Sequence, residues 1–340
     1  MTSMERVLAA LSGTPQPRPP FTLALSLYGA RLSGCPLSRY FRDAESYGAG
    51  QQAVYDSFAP DILFSPFALP LEAEAFGSEV IFLPDYAPNV RKPAVRSAEA
   101  FLDLDMPDVD NHPSLLYLRQ AIASTAARVH GEVPVCGILT AAVDLPAIVM
   151  GIDQWLETLL FDGDRAAAIL TRCIDHFAAL ANAMLHDGAA FIAVPAMFTN
   201  PRLVFRRMID DLILPAMARS FALVRGPIVF HHGGNPMVPF LEDYLDLPGV
   251  VGYAVDHRDP LGKARHLLGP EKLLLGNING PALARLSPQR ALAKVDDILH
   301  DRQDDYRFIF LNAGADIPLD TPPELLQAIS RKITSYTGGM

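Results

Sequence analysis

The chain has few cysteines, few cationic residues and no long apolar run. Its three cysteines, Cys35, Cys136 and Cys173, are odd in number and widely spaced, and no Cys-x-x-Cys pair occurs. That excludes a disulfide framework and a paired-thiol redox motif, and it suits a reducing compartment. Only 28 Lys and Arg stand against 38 Asp and Glu, a net charge of −10. A surface of that sign has no overall attraction for polyphosphate, so nucleic acid is not an expected partner. The longest apolar stretches, such as 134–139, fall far short of the ~20 residues that cross a bilayer. Glu5 and Arg6 interrupt any apolar core of an N-terminal signal. The expectation is a soluble, cytoplasmic protein that avoids membranes. No Gly-x-Gly-x-x-Gly turn, internal repeat or heptad is present, which excludes a dinucleotide fingerprint, repeat arrays and coiled coils.

What remains is ample material for a core. Of 340 residues, 50% are apolar and 19% charged, and mean hydropathy is +0.19. Short, nearly continuous apolar runs fall at 21–27, 61–64, 133–138, 190–194, 227–231, 250–255, 272–276 and 307–311. Strands buried on both faces read this way. Helical patterns separate most of them, at 44–58, 113–129, 164–186, 201–224, 239–244, 282–300 and 322–334. Thr321 is expected to cap the last of these, with Pro322 in the first turn and Glu324 completing a capping box. Eight strands alternating with helices predict an α/β fold, a single (β/α)₈ TIM barrel over 1–340. The segment 69–110 breaks the alternation. Its run 79–83 reads as an extra strand, so it is expected to be an insertion with a hairpin after the second barrel strand.

In such a barrel the C-terminal ends of the strands converge on one open face. Those ends carry Ser26, Leu27 and Tyr28 with Arg31 behind, then Ser65 to Phe67, and Pro195 to Phe198. Next come His231-His232-Gly233-Gly234-Asn235, Asp256-His257, Asn277 to Asn279, and Asn312 with Asp316 following. Candidate catalytic residues are His231, Asp256 and Asp316. Candidate substrate-binding residues are Tyr28, Arg31, Phe198, His232, Asn277 and Asn312. The His pair ends an apolar strand, where packing has no need of histidine. Neighbours on a strand face opposite ways, so one of the two is expected in the pocket and the pair is no ready metal site. Against these readings stand a backbone-satisfied buried His, a helix-capping Asp256, turn-forming asparagines and a surface ion pair for Arg31.

Several segments resemble the uroporphyrinogen decarboxylase superfamily. They are Met4 to Leu11 running to Arg18-Pro19-Pro20, Gly188-Ala189-Ala190, Gly276-Asn277-Ile278, and Asn312-Ala313-Gly314 through Asp320 to Glu324. Tyr40-Phe41 to Ala44, Glu72 to Glu79, Leu214-Pro215 and Gly226 to His231 look more like its corrinoid-linked methyltransferase branch. The resemblance implies a barrel that passes methyl groups between a methyl-corrinoid, such as methylcobalamin, and a small acceptor. It also implies a corrinoid protein as partner and admits a homodimer. Thiol-methylating relatives carry His-x-Cys-Gly and Gly-Cys motifs that bind zinc and hold the acceptor as thiolate. His231 matches the histidine and would be the metal ligand if any is, but Gly233 and Ala315 stand at the cysteine positions and Val194 at an acidic one. The ligand set is two donors short, so zinc is not expected. The decarboxylase branch opens with an arginine-rich segment, where this chain has Tyr28-Gly29-Ala30-Arg31. A decarboxylase or lyase acting on a small carboxylate or tetrapyrrole, with Arg31 as anchor, is the alternative, and a non-catalytic ligand-binding relative is the third reading.

Overall fold

The computed structural model describes residues 1–337. Nine strands form: β1 (Leu63–Phe64), β2 (Glu79–Ile81), β3 (Asn89–Lys92), β4 (Val135–Ile138), β5 (Ala189–Pro195), β6 (Ile228–His231), β7 (Val250–Ala254), β8 (Leu273–Asn279) and β9 (Phe308–Ala313). Seven of them build one parallel sheet in the order β1-β4-β5-β6-β7-β8-β9. The eighth position is filled by the chain around Phe21, which bridges Phe310 of β9. Its carbonyl also accepts from Asp61 N–H at 2.7 Å, ahead of β1. The sheet thus curls round to meet itself, as a (β/α)₈ barrel requires.

The predicted strand 21–27 is the main departure. Leu23, Leu25 and Leu27 are buried as expected, but only Phe21 pairs as a strand. Proline at 19 and 20 removes ladder donors just before it. Beyond it, Ala24 N–H goes to the Asn312 side chain at 2.6 Å and Ala24 C=O to Ile317 N–H at 2.8 Å. A side chain and a loop replace the neighbouring strand.

Prolines also redraw three helices. The pattern 282–300 splits into a 3₁₀ turn (Leu283–Arg285) and a helix (Pro288–Asp301), because a residue before proline is driven to extended geometry. In 201–224 the helix starts at Arg206, and a π-turn (Ile209–Ile213) precedes Pro215 in the helix Leu214–Ala222. The last helix is Pro323–Thr334. Pro322, made extended by Pro323, is its N-cap, and no side chain caps it. The capping box expected from Thr321 does not form, and the Thr321 hydroxyl is buried without a partner.

Segment 69–110 folds as the helix Pro70–Ala75, the β2–β3 antiparallel hairpin and the helix Ala98–Leu102. It leans on the helix Leu145–Met150 that follows β4, through Ala94 N–H to Val149 C=O at 2.9 Å. The insertion therefore sits at the C-terminal side of the barrel.

The other end is plugged. The helix Ser3–Ser12 begins with a Thr2/Glu5 capping box. Its Val7, Ala10 and Leu11 pack into the barrel interior with Leu273 and Ile309. Asp61, 1% exposed, locks this end. It accepts from Arg18 Nη1 at 2.5 Å, Arg6 Nε at 3.2 Å, Ser3 Oγ at 3.0 Å and Phe21 N–H at 2.9 Å. Among the described residues, no helix is long and apolar enough to cross a membrane.

Removing the carboxylate would strand two mostly buried guanidinium groups. Asp61→Ala is expected to lower unfolding free energy by about 3–5 kcal/mol, measured by urea denaturation. A loss below about 1 kcal/mol would show that the network contributes no more than a surface ion pair.

Candidate functional site

Alternate residues of the strands face inward, and at the C-terminal end they leave a cavity unfilled. Its volume is about 80 Å³, counted as space open to the centre of a water molecule, several times what a single water needs. Phe64, Phe67, Ile138, Phe191, Leu275 and Leu311 are among its walls, with Cys136 and Val229 also lining it. Polar groups lie among them: Thr22, His231, Asn235, Asp256 and Asn312.

The strand pleat separates the two histidines. His231 lines the cavity, and its Nδ1 accepts from Gly233 N–H at 3.2 Å. The proton therefore sits on Nε2. Burial holds the ring's pKa down near 4, so it is neutral at physiological pH and offers an N–H donor. His232 is turned onto Phe230 and Tyr244, with ring centroids at 5.6 and 4.9 Å. Neither of its ring nitrogens has a partner, and burial lowers its pKa to about 3. Only the first member of the pair presents its ring to the site.

Asp256 is buried at the mouth. Its Oδ1 takes Arg258 Nε at 2.5 Å and Arg258 N–H at 3.0 Å, and the same guanidinium reaches Gly234 C=O at 2.7 Å. Asn312 also lines the cavity, but its amide is spent on Ala24 N–H and Ala315 C=O. The cavity thus brings together His231, Asp256 and Asn312, with the backbone of His232.

The other sequence candidates lie elsewhere. Tyr28 is buried with its hydroxyl on Thr321 C=O at 2.7 Å. Arg31 is exposed and donates to the carbonyls of Leu319 and Thr321. Asn277 donates to the carbonyls of Asp256 and Asp259, at 2.9 and 2.8 Å, behind the wall. Phe198 gives its N–H to Asp144 at 2.9 Å and does not line the cavity. Asp316 lies off the cavity with both carboxyl oxygens buried and unpartnered, and burial raises its pKa to about 8.

Three acidic residues that sequence reasoning missed hold the loops around the mouth. Glu72 accepts from Thr140 N–H at 2.8 Å and Thr140 Oγ1 at 2.6 Å, just after β4. Asp144 accepts from the N–H groups of Met197, Phe198 and Thr199, just after β5. Asp259 accepts from Met237 N–H at 2.8 Å, Val238 N–H at 3.2 Å and Asp256 N–H at 3.1 Å, joining the loops after β6 and β7. Apart from Asp256 N–H, their partners lie more than twenty residues away along the chain, which no sequence spacing reveals.

A zinc ion fits this donor set poorly. Among the described residues, no group of three His, Cys, Asp or Glu is close enough to hold a metal. The obstacle goes beyond missing sulfur. Gly233 has φ +55, and a Cβ there would lie 2.0 Å from Met197 Cγ and 3.0 Å from Met197 Cβ. Met197 belongs to the segment whose backbone N–H groups Asp144 holds. Its side chain occupies the space where a residue-233 side chain would start.

Comparison with known proteins agrees with this architecture. The family model for uroporphyrinogen decarboxylase (URO-D) matches residues 2–336. The chain is 24% identical over 289 residues to the methylcobamide:CoM methyltransferase MtbA of Methanosarcina acetivorans, covering 83% of this chain and 84% of that one. It is 22% identical over 291 residues to the methylcobamide:CoM methyltransferase MtaA of Methanosarcina barkeri, covering 82% and 83%. The solved structure of a methyltransferase from Methanosarcina mazei superposes with a TM-score of 0.87 at 20% identity, covering 99% of each chain.

Burial raises the Glu72 pKa to about 8, although Thr140 pulls it down. An unfolded glutamate ionises near ~4.3. From there up to about pH 8 the unfolded chain releases this proton and the folded chain keeps it, so stability falls as pH rises. Glu72→Gln keeps an acceptor for Thr140 and removes the titration. The wild-type melting temperature is therefore expected to drop more between pH 5 and pH 8 than that of the variant; equal drops would contradict it.

The metal prediction concerns Met197. Purified protein is expected to hold well under about one zinc per chain by elemental analysis. Gly233→Cys with Ala315→Cys is expected to bind zinc tightly only when Met197→Ala is added. Tight zinc in the wild-type protein, or in the double variant alone, would refute this reading.

Proposed function

The chain belongs to the uroporphyrinogen decarboxylase family, and from that premise we propose that it is a corrinoid-dependent methyltransferase working without a Cys-ligated zinc. The curated relatives named above are methylcobamide:CoM methyltransferases. A methyl-corrinoid, free or carried on a partner protein, would supply an electrophilic methyl group, and a small acceptor in the cavity would supply the electron pair. The carrying observation is the cavity itself. It lies at the C-terminal end of the strands, is sized for a small acceptor and has His231 and Asp256 in its lining.

Each group has a role its surroundings support. The apolar walls exclude water and raise the strength of any polar contact inside. His231 Nε2–H orients the acceptor by donating to its heteroatom. Asp256, hydrogen-bonded to Arg258, accepts the acceptor's proton or holds the polarised hydrogen. Asp144, Asp259 and Glu72 keep the surrounding loops in register, so the pocket is formed before the acceptor arrives. The decarboxylase alternative loses its anchor, since Arg31 is committed to carbonyls away from the cavity.

Mixing the protein with methylcobalamin and thiol, amine, folate or phenol acceptors is expected to change the corrin absorption spectrum as methyl leaves cobalt. His231→Ala should slow that change by about 10²-fold or more. An unchanged spectrum across these acceptors, with a cognate corrinoid protein present, would refute the reading. Release of carbon dioxide from a carboxylate with the corrin spectrum constant would replace it by the decarboxylase.

A further inference from the structure

We propose that the ligand of the barrel cavity is a small uncharged molecule with an aromatic body and one hydroxyl, of the class of simple phenols. The proposal deepens the reading above, because it names the class of the acceptor. The first observation is charge. Among the residues that line the cavity, the ionisable ones are Cys136, His231, His232 and Asp256. Burial keeps the thiol protonated and both imidazoles neutral. No lining residue is a cation, and Arg258 at the rim is bonded to Asp256 and Gly234. A carboxylate or sulfonate entering this space would lose its hydration, find no counter-charge and face Asp256.

The second observation is shape and surface. Phe64, Phe67 and Phe191 each retain accessible surface, and all three line the cavity. Aromatic side chains presented to an apolar cavity make favourable edge and offset contacts with a ring. The apolar part of the wall favours an aromatic guest over water.

The third observation is the inventory of uncommitted polar atoms. The Thr22 hydroxyl is bonded to Ile62 C=O at 2.7 Å, and both ends of the Asn312 amide are taken. Lining side-chain atoms with no hydrogen bond inside the protein include one donor, His231 Nε2–H, and two acceptors, Asp256 Oδ2 and Asn235 Oδ1. A hydroxyl is the smallest group that accepts from the first and donates to either of the others. An ether lacks the donor, and a hydrocarbon would leave all three unpaired.

The test is isothermal titration calorimetry with the full chain and no corrinoid, so it reads binding apart from methyl transfer. Phenol is expected to bind at least about tenfold more tightly than benzoate or ethanesulfonate, and more tightly than anisole. Ala193→Trp, which fills the cavity from β5, is expected to abolish phenol binding, with Ala254→Leu from β7 as a milder block should the first fail to fold. Asp256→Asn is expected to narrow the gap between phenol and benzoate. Tighter binding of either anion, phenol binding unaffected by both blocking variants, or no phenol binding at all would overturn the proposal. Spectral turnover of methylcobalamin with an anionic acceptor alone would sink this inference and leave the methyltransferase reading standing. The reverse outcome would do the opposite.

Discussion

The architecture of the mouth depends on buried carboxyl groups that accept backbone N–H bonds from neighbouring loops. In a (β/α)₈ barrel the strands fix their own ends but not the loops beyond them. Here Asp144, buried just after β4, takes three successive amides after β5, and Asp259 takes two amides after β6 and one after β7. Burial pushes the pKa of both upward, that of Asp144 to about 6. That rise is the signature of a carboxylate deprived of water, opposed by the hydrogen bonds it receives. Among the described residues, Asp144 and Asp259 form no salt bridge. The loops are held by directed hydrogen bonds in a weakly polar setting, where such bonds are strong and their loss is costly.

This scheme explains the cavity. The opposite end of the barrel is closed by Ser3–Ser12 and by the ion network on Asp61, and apolar side chains fill the interior toward that end. At the mouth, polar capacity goes into loop-to-loop bonds: Asn277 and Asn312 spend theirs on backbone, as do the three acidic ties. Few polar atoms remain for a ligand. The result is a preformed, mostly apolar site with a sparse polar edge.

The sequence made the barrel legible because its strands are buried on both faces, and such strands read as short unbroken apolar runs. Seven of the eight runs pair in the order of the chain, and the β2–β3 hairpin falls in the segment that broke that rhythm. The run 21–27 misled, since burial without backbone pairing leaves the same apolar signature. Proline explains the helix errors, where Pro215, Pro288 and Pro323 moved boundaries that periodicity alone had drawn. Of the candidates read from strand ends, His231, His232, Asp256 and Asn312 line the cavity. Tyr28, Arg31 and Asn277 come from the same reading and are turned away, because a strand end carries residues on both faces and in the following turn. Asp144, Asp259 and Glu72 could not be found this way. Their partners are amides tens of residues apart along the chain for Asp144 and Glu72, and across two loops for Asp259.

The departure from the zinc-binding pattern is a coupled change. Gly233 tolerates its left-handed backbone because it has no side chain, and Met197 fills the space so vacated. Met197 is fixed in turn by Asp144, which also holds Phe198 and Thr199. A sulfur ligand at residue 233 would have to displace a side chain anchored by the loop it belongs to, and a cysteine there would also bear the cost of a positive φ, about 1 kcal/mol or more. Restoring one donor is therefore opposed by packing, backbone and a hydrogen-bonded loop together. A site arranged in that way selects its ligand by shape and by the few polar atoms left uncommitted, since no arginine or lysine is among the residues that line it.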